Sequence, residues 1–281
     1  MAGAGMNNIK ARIKSVNSTM QITGAMELVA TSKLRRAKER VERTRPFYET
    51  LGTAIDEVIA LGDNVGSEYT TSREVKKTLY VVIAGDRGLA GGYNSQIFKL
   101  SRELMKVDDA LVLPIGKKAK EYFRSYPCQE FEVSCDYVGL LGVGDALSLG
   151  ELITRGYTGG EYDRVVLVYT RFVSMMTQTP VYEVLLPLER EVKAENVTPP
   201  EFDIEPEEML ASIVPKYVGG VLFSAICEAS ASEEGARRTA MNAANKNARE
   251  MIDELMLRFN RARQAIITQE ITEIVSGAEA L

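Results

Sequence analysis

The chain contains no histidine, no tryptophan and only three cysteines in 281 residues. Without histidine it lacks the commonest general base and metal ligand, which argues against zinc chemistry and histidine-based hydrolysis. Cys128, Cys135 and Cys227 are too few to staple a chain of this length and suit a reducing compartment. No run of 18 apolar residues occurs, which speaks against direct transmembrane insertion. The start, MAGAGMNNIKARIK, turns charged at once and has no apolar core of a signal sequence.

What is present is a chain of 45% hydrophobic and 26% charged residues, which fits one or two folded domains. The net charge of -5 hides an asymmetry. Residues 1–45 hold ten Lys and Arg against three Glu, and the remainder carries 24 basic and 36 acidic residues. A basic arm of this kind suits nucleic acid, acidic lipid or an acidic protein surface, or is a solvated helix face.

Residues 1–61 read as one long helix. Ile9, Ile13, Val16 and Met20 follow a 4-3-4 spacing, then Ile22, Met26, Val29, Ala37 and Val41 set a second register, so the heptad breaks between Met20 and Ile22. Pro46 predicts a bend or a short break, because proline removes a helix donor and clashes with the preceding turn. About 55 residues at ~1.5 Å each would run for about 80 Å, a length that needs a partner to cover its apolar stripe.

Gly62 to Ser72 (GDNVGSEYTTS) reads as a linker. Between residues 75 and 195 the pattern alternates. Strands are expected at Thr78–Ala84, Ala110–Ile115, Glu130–Cys135, Asp163–Phe172 and Pro180–Pro187, the last two close enough for a hairpin. Helices are expected at Asn94–Val107, Lys117–Ser125 and Asp145–Tyr157. This alternation predicts a Rossmann-like α/β domain with a mostly parallel sheet. Residues 189–205 form a polar connector. Residues 206–281 read as a second long helix, weakened at Pro215 and Gly219-Gly220, where a kink is expected. Its clearest stripe is Met241, Ala244, Ala248, Met251, Leu255, Phe259, Ala262 and Ile266, with two consecutive steps of four that make a local eleven-residue repeat. The two terminal helices are the only partners long enough for each other. The expected fold is therefore a long antiparallel coiled coil of N- and C-terminal helices plus the central α/β domain, with the longer C-terminal helix projecting alone at one end.

Two stretches invite a functional reading. The first is DRGLAGGYN (Asp86–Asn94), which follows a strand and precedes a helix. It matches neither G-x-x-x-x-G-K-[ST] nor G-x-G-x-x-G, and no acidic residue ends the next strand where a ribose partner would sit. Its glycines suit tight turns and close packing better than a phosphate. An α/β nucleotide-binding protein with helical oligomerisation arms is nevertheless a rival reading. The second stretch, KLRRAKERVERTR, has seven basic residues between Lys33 and Arg45 spread around the helix, without the stacking aromatics or fold of a nucleic-acid binder. Cys128 and Cys135 show no spacing that suggests redox control.

Three motifs together resemble one family. Ile267, Thr268, Glu270, Glu273, Gly277, Ala278 and Ala280 fill every position of I/V-T-x-E-x-x-D/E-x-x-x-G-A-x-A. Ile9–Thr23 and Ala25–Ala37 (AMELVATSKLRRA) resemble the matching N-terminal helix, and DRGLAGGYN is the third match. The chain is similar over its whole length to the gamma subunits of rotary (F-type) ATP synthases, departing at Gly24, where a lysine is usual. The resemblance implies a non-catalytic central-stalk rotor with no cofactor and no metal. Such a rotor carries torque between the membrane c-ring and the alpha3-beta3 head, at the cytoplasmic face of the membrane. It implies beta-subunit coupling through Met26, Lys33, Arg35, Arg36, Arg263, Gln264, Thr268, Glu270 and Glu273, with Met26 opposite the C-terminal group. It implies contact with the c-ring and the epsilon subunit through Phe202, Ile204 and Glu205. The rotor tip would be Gly277, Ala278, Ala280 and Leu281, with Ile266 and Ile274 on the buried side of the terminal helix. No nucleic-acid partner is implied.

Overall fold

The computed structural model describes residues 2–60, 68–71, 73–107, 109–131, 135, 137–188 and 205–279. Among these, the elements are α1 (Ala2–Ala60), β1 (Lys77–Ile83), α2 (Tyr93–Leu104), β2 (Asp109–Ile115), α3 (Lys117–Phe123), β3 (Gln129–Glu130), a 3-10 turn (Val138–Leu140), α4 (Val143–Thr158), β4 (Arg164–Phe172), β5 (Gln178–Leu186) and α5 (Pro206–Glu279). The expected mixed α/β fold with long terminal helices is what forms. Packing divides the chain into two compact units, Met1–Ala30 with Arg237–Leu281, and Thr31–Ala236.

In the unit of residues 31–236 the sheet order is β3-β2-β1-β4-β5. Strands β1 to β4 are parallel and β5 returns antiparallel to β4 as a hairpin. The strands are apolar on both faces because both are covered, as parallel sheets require. Alternation sorts the side chains. Tyr80, Val82, Val112, Val166 and Val168 face Ile97 of α2 and Ala119 and Phe123 of α3. Leu79, Val81, Ile83, Leu111, Leu113, Val165 and Leu167 face Leu149 and Ile153 of α4, Ile55 and Val58 of α1, and Leu210, Val218 and Leu222 of α5. Each such aliphatic side chain contributes about 1.5–3 kcal/mol when fully buried. Of the expected third strand, Gln129–Glu130 pair as β3 and an isolated parallel bridge joins Ile115 to Cys135, while residues 132–134 lie outside the described residues.

Within this unit α5 is a core helix. Residues 218–229 are all buried, so no polar face is needed there. By length and composition α5 could cross a membrane, with a window of mean hydropathy 1.6, but 67% of that window is buried inside the fold. Gly219 and Gly220 serve close crossing. A Cβ on Gly219 would lie 2.8 Å from the Leu147 Cα, and one on Gly150 would lie 2.5 Å from the Gly219 nitrogen. Helices α4 and α5 therefore touch backbone to backbone. Helix α5 runs unbroken through Pro215, and α1 through Pro46. The Thr50 hydroxyl donates to the Pro46 carbonyl at 2.8 Å.

In the unit of residues 1–30 and 237–281, α1 and α5 pair antiparallel. Thr23 donates to Asn245 Oδ1. Glu27 accepts from Asn242 Nδ2 and Asn245 Nδ2, each at 3.1 Å. The register corrects both stripes read from the sequence. On α1 the covered series is Ile9, Ile13, Val16, Met20, Thr23, Glu27 and Ala30, an uninterrupted alternation of fours and threes, with Met6, Asn17, Gly24 and Met26 half-buried beside it. The heptad does not break at Ile22, which is 62% exposed; polar residues simply occupy two of its positions. On α5 the covered series with the same alternation is Met241, Asn245, Ala248, Ile252, Leu255, Phe259, Ala262 and Ile266. Met251 is 43% exposed and Ile252 takes its place, so the eleven-residue repeat is replaced by plain heptads.

Candidate functional site

Three places on the two units carry the chemistry that the sequence singles out. The first is the basic stretch of α1 within residues 31–236. Lys33 pairs with Glu234 at 3.6 Å, and exposed Arg35 makes a long 4.0 Å contact with Glu39 one turn on. Arg36 is exposed and lines a cavity of about 230 Å3 together with Lys33, Arg40, Arg87, Glu233 and Glu234. Arg40 is half-buried, with its guanidinium 5.4 Å over the Phe223 ring and a 3.0 Å bond to the Leu141 carbonyl. Lys38 lies 5.6 Å over Phe172. The cations are thus split between packing and display, and no single face gathers them.

The second place is the C-terminal edge of the parallel strands. The strand order reverses between β1 and β4, the crevice where open α/β sheets take a ligand. Here the loop after β1 is closed from inside by α5. The backbone N–H of Asp86 donates to Glu233 Oε2 at 3.2 Å, and that of Arg87 to Glu233 Oε1 at 3.1 Å. Tyr93 donates to the Ala229 carbonyl, Ser232 to the Thr170 carbonyl, and the Phe172 N–H to Glu228. Asn94 Oδ1 accepts from the Gly85 N–H at 2.8 Å. The Asp86 carboxylate accepts from the N–H groups of Val138 and Gly139 at 3.0 and 3.2 Å, tying the loop to the 3-10 turn. Sequence reading missed Glu228, Ser232 and Glu233, because their partners lie about 60 and 150 residues away along the chain.

The third place is the end of α5. The register that sets Thr23 against Asn245 uses up α1 near Ile266, and from Ile267 to Ser276 every residue is exposed. Ile274, expected on a buried side, is 71% exposed because nothing among the described residues covers it. At about 100° per residue, Gln264 and Thr268 share a face with exposed Ile267, Ile271, Ile274, Val275 and Ala278. Glu270 and Glu273 turn away from that face, and Arg263 borders it, about 20° from Ile274. The five polar residues are therefore not one patch. The apolar face was readable in the 4-3-1-3 spacing from Ile267 to Ala278, but stood behind the polar motif residues. Thr268 donates to the Gln264 carbonyl at 2.9 Å, and Glu273 accepts from Gln269 at 2.9 Å.

Met26 is half-buried and level with Asn242 rather than opposite Arg263. Twenty-one residues of helix separate those two levels, on the order of 30 Å. Glu205 is exposed, and its carbonyl accepts from the Met209 N–H at the start of α5. Phe202, Ile204, Ala280 and Leu281 lie outside the described residues. Among the described residues the three cysteines form no disulfide, and burial pushes the Cys227 thiol up from its ordinary range.

Comparisons with known proteins cover nearly the whole chain. A family model described as ATP synthase covers residues 5–281. The chain is 45% identical over 286 residues to the ATP synthase gamma chain of Ruminococcus albus, covering 98% of each. It is 42% identical over 300 residues to the sodium ion specific ATP synthase gamma chain of Acetobacterium woodii, again with 98% of each covered. In fold it resembles a chain of the Euglena gracilis mitochondrial ATP synthase, with a TM-score of 0.70 and 16% identity, covering 99% of this chain and 95% of that one. A chain from the central stalk and c-ring of the Tetrahymena thermophila enzyme gives a TM-score of 0.61 at 24% identity, covering 79% and 99%. With the sequence matched end to end and the fold shared, the chain belongs to the ATP synthase gamma chain family.

Proposed function

We propose that this chain is the central-stalk rotor of an F-type ATP synthase, a non-catalytic subunit that carries torque between the membrane c-ring and the alpha3-beta3 head. The observation that carries the reading is family membership over the whole chain, joined to an α5 whose last turns expose both an apolar and a charged face. An asymmetric helix presents different side chains in each direction. Each surrounding catalytic subunit then meets a different surface, and rotation shifts which of its conformations is favoured.

In this reading Gln264 and Thr268, set among exposed Ile267, Ile271 and Ile274, meet the apolar parts of the head. Arg263, Glu270 and Glu273 meet polar parts of the beta subunits. Met26 acts about 30 Å away along the pair, with Lys33, Arg35 and Arg36 as longer-range attraction toward acidic surfaces. Phe202, Ile204 and Glu205 belong to the foot facing the c-ring and the epsilon subunit, and Gly277, Ala278, Ala280 and Leu281 to the tip. The protein works as a peripheral subunit at the cytoplasmic face of the membrane. The rival nucleotide-binding reading is disfavoured by Glu233, which already occupies the backbone donors of the loop after β1.

Affinity isolation from gently solubilised membranes tests the proposal. The chain should bring down alpha, beta and epsilon subunits with ATPase activity. Recovery of the chain alone would overturn it. A cysteine in place of Arg263, cross-linked to beta, should stop turnover until it is reduced.

A further inference from the structure

The loop after β1 has the features of an anion site. Two consecutive backbone N–H groups, of Asp86 and Arg87, point to one place, the arrangement by which a backbone nest holds an anion. Gly85 beside them carries no side chain. A Cβ there would stand 2.7 Å from the Glu233 Cδ and 3.0 Å from its Oε1, so the glycine leaves room for a carboxylate against the main chain. The place is not open. Glu233, 6% exposed and 146 residues downstream of Arg87, fills it with one oxygen on each donor. A buried carboxylate costs free energy unless its oxygens are bonded, and these donors meet that cost.

We infer that the loop after β1 is a carboxylate-binding site whose resident ligand is the chain's own Glu233. In a sheet of this topology the crevice beside this loop commonly receives a ligand phosphate. Here it receives α5. The helix is thereby held in one register against the C-terminal ends of β1 and β4, with Ser232 on the Thr170 carbonyl and Ala229 under Tyr93 as neighbouring ties. The ligand class follows from the geometry. Two donors ask for two anionic oxygens on one small planar group, which a carboxylate supplies and a carboxamide does not.

The test uses the purified full-length chain, so it succeeds or fails separately from the rotor reading. Glu233→Ala should lower the folding equilibrium constant by about tenfold or more, since two donors lose a charged partner. Acetate or formate should restore it in a concentration-dependent way, and chloride at equal ionic strength should not. Leu222→Ala, a core variant of comparable instability, should gain nothing from acetate. Equal acetate rescue of both variants, or rescue of neither, overturns the inference.

Glu233→Gln keeps the shape but leaves one donor unmatched. Amide hydrogen exchange at Asp86 and Arg87 should speed up at least tenfold in that variant; unchanged rates overturn the inference even if Glu233→Ala does not fold. Gly85→Ala gives a third arm. Its cost should shrink when combined with Glu233→Ala, because the crowded carboxylate is gone, and strict additivity would count against the site.

Discussion

Helix α5 is one continuous element, yet its stretches are covered in different ways. From Val218 to Gly235 it is enclosed on nearly every side and stabilises the α/β unit as a core helix. From Met241 to Ile266 it buries one heptad stripe against α1, and after that it buries nothing among the described residues. The difference teaches that helix length says little about helix role. What a stretch faces decides whether its apolar residues stabilise the fold or are left on display.

Substitutions along α5 can break or sharpen that comparison. The largest effect is expected where the helix backbone itself is in contact. Gly219→Val places methyl groups where even a Cβ lies 2.8 Å from the Leu147 Cα, and should destabilise by on the order of 3 kcal/mol or more in urea unfolding. Next comes an alanine series. Leu222→Ala, fully buried, should cost about 3–5 kcal/mol, and Leu255→Ala, 8% exposed in the helical pair, about 2–3. Ile274→Ala should change stability by less than about 0.5 kcal/mol. A large stability loss at Ile274 would mean that the end of α5 is covered after all, whereas lowered activity of the assembled enzyme alone would support a docking role.

A third, smaller effect concerns the polar centre of the seam. Asn245 sits at a heptad position facing Thr23 and Glu27, where an apolar residue would pack better in isolation. Buried polar groups at such positions specify register at some cost in stability. Replacing Thr23, Asn245 and Glu27 together by Val, Leu and Leu should raise the melting temperature by a few degrees. The same change should let cysteine pairs cross-link in more than one register, and a single register in that variant would count against this register-specifying role of Thr23, Glu27 and Asn245.

The smallest effect is a pH dependence in the α/β unit. The N–H groups of Lys77 and Lys76 bond the Asp163 carboxylate and hold it below its ordinary range. A carboxylate lowered by folding adds stability above its unfolded pKa. That contribution is lost as pH falls through the lower folded value. Asp163→Asn should therefore flatten the acid side of the stability profile and leave neutral pH nearly unchanged. A steeper acid limb in the variant would reverse the assignment.

Much of the architecture was readable in the chain. Runs such as Leu79–Ile83 and Val165–Val168 had to be strands buried on both faces, and their spacing with intervening helices implied a mostly parallel sheet. The heptad was readable only in part. Met251 and Ile252 are adjacent and equally apolar, and polarity alone makes Thr23, Glu27 and Asn245 look like surface residues. Their covered positions follow from register, which belongs to the pair of helices and not to either one. The two faces of the α5 end were readable in the helical spacing of its residues, but that both are exposed from Ile267 to Ser276 follows only from where α1 ends.

The sequence by itself determined the order of elements, the mixed α/β class, the two long terminal helices and the family, because these depend on local periodicity and on motifs that survive without contacts. The tertiary structure alone decided which apolar residues are covered, why Gly150 and Gly219 must be small, and that Glu233 fills the crevice beside Gly85. Those are properties of pairs far apart along the chain. Burial, close approach and the partnering of a charge exist only once the fold has brought the two members of each pair together.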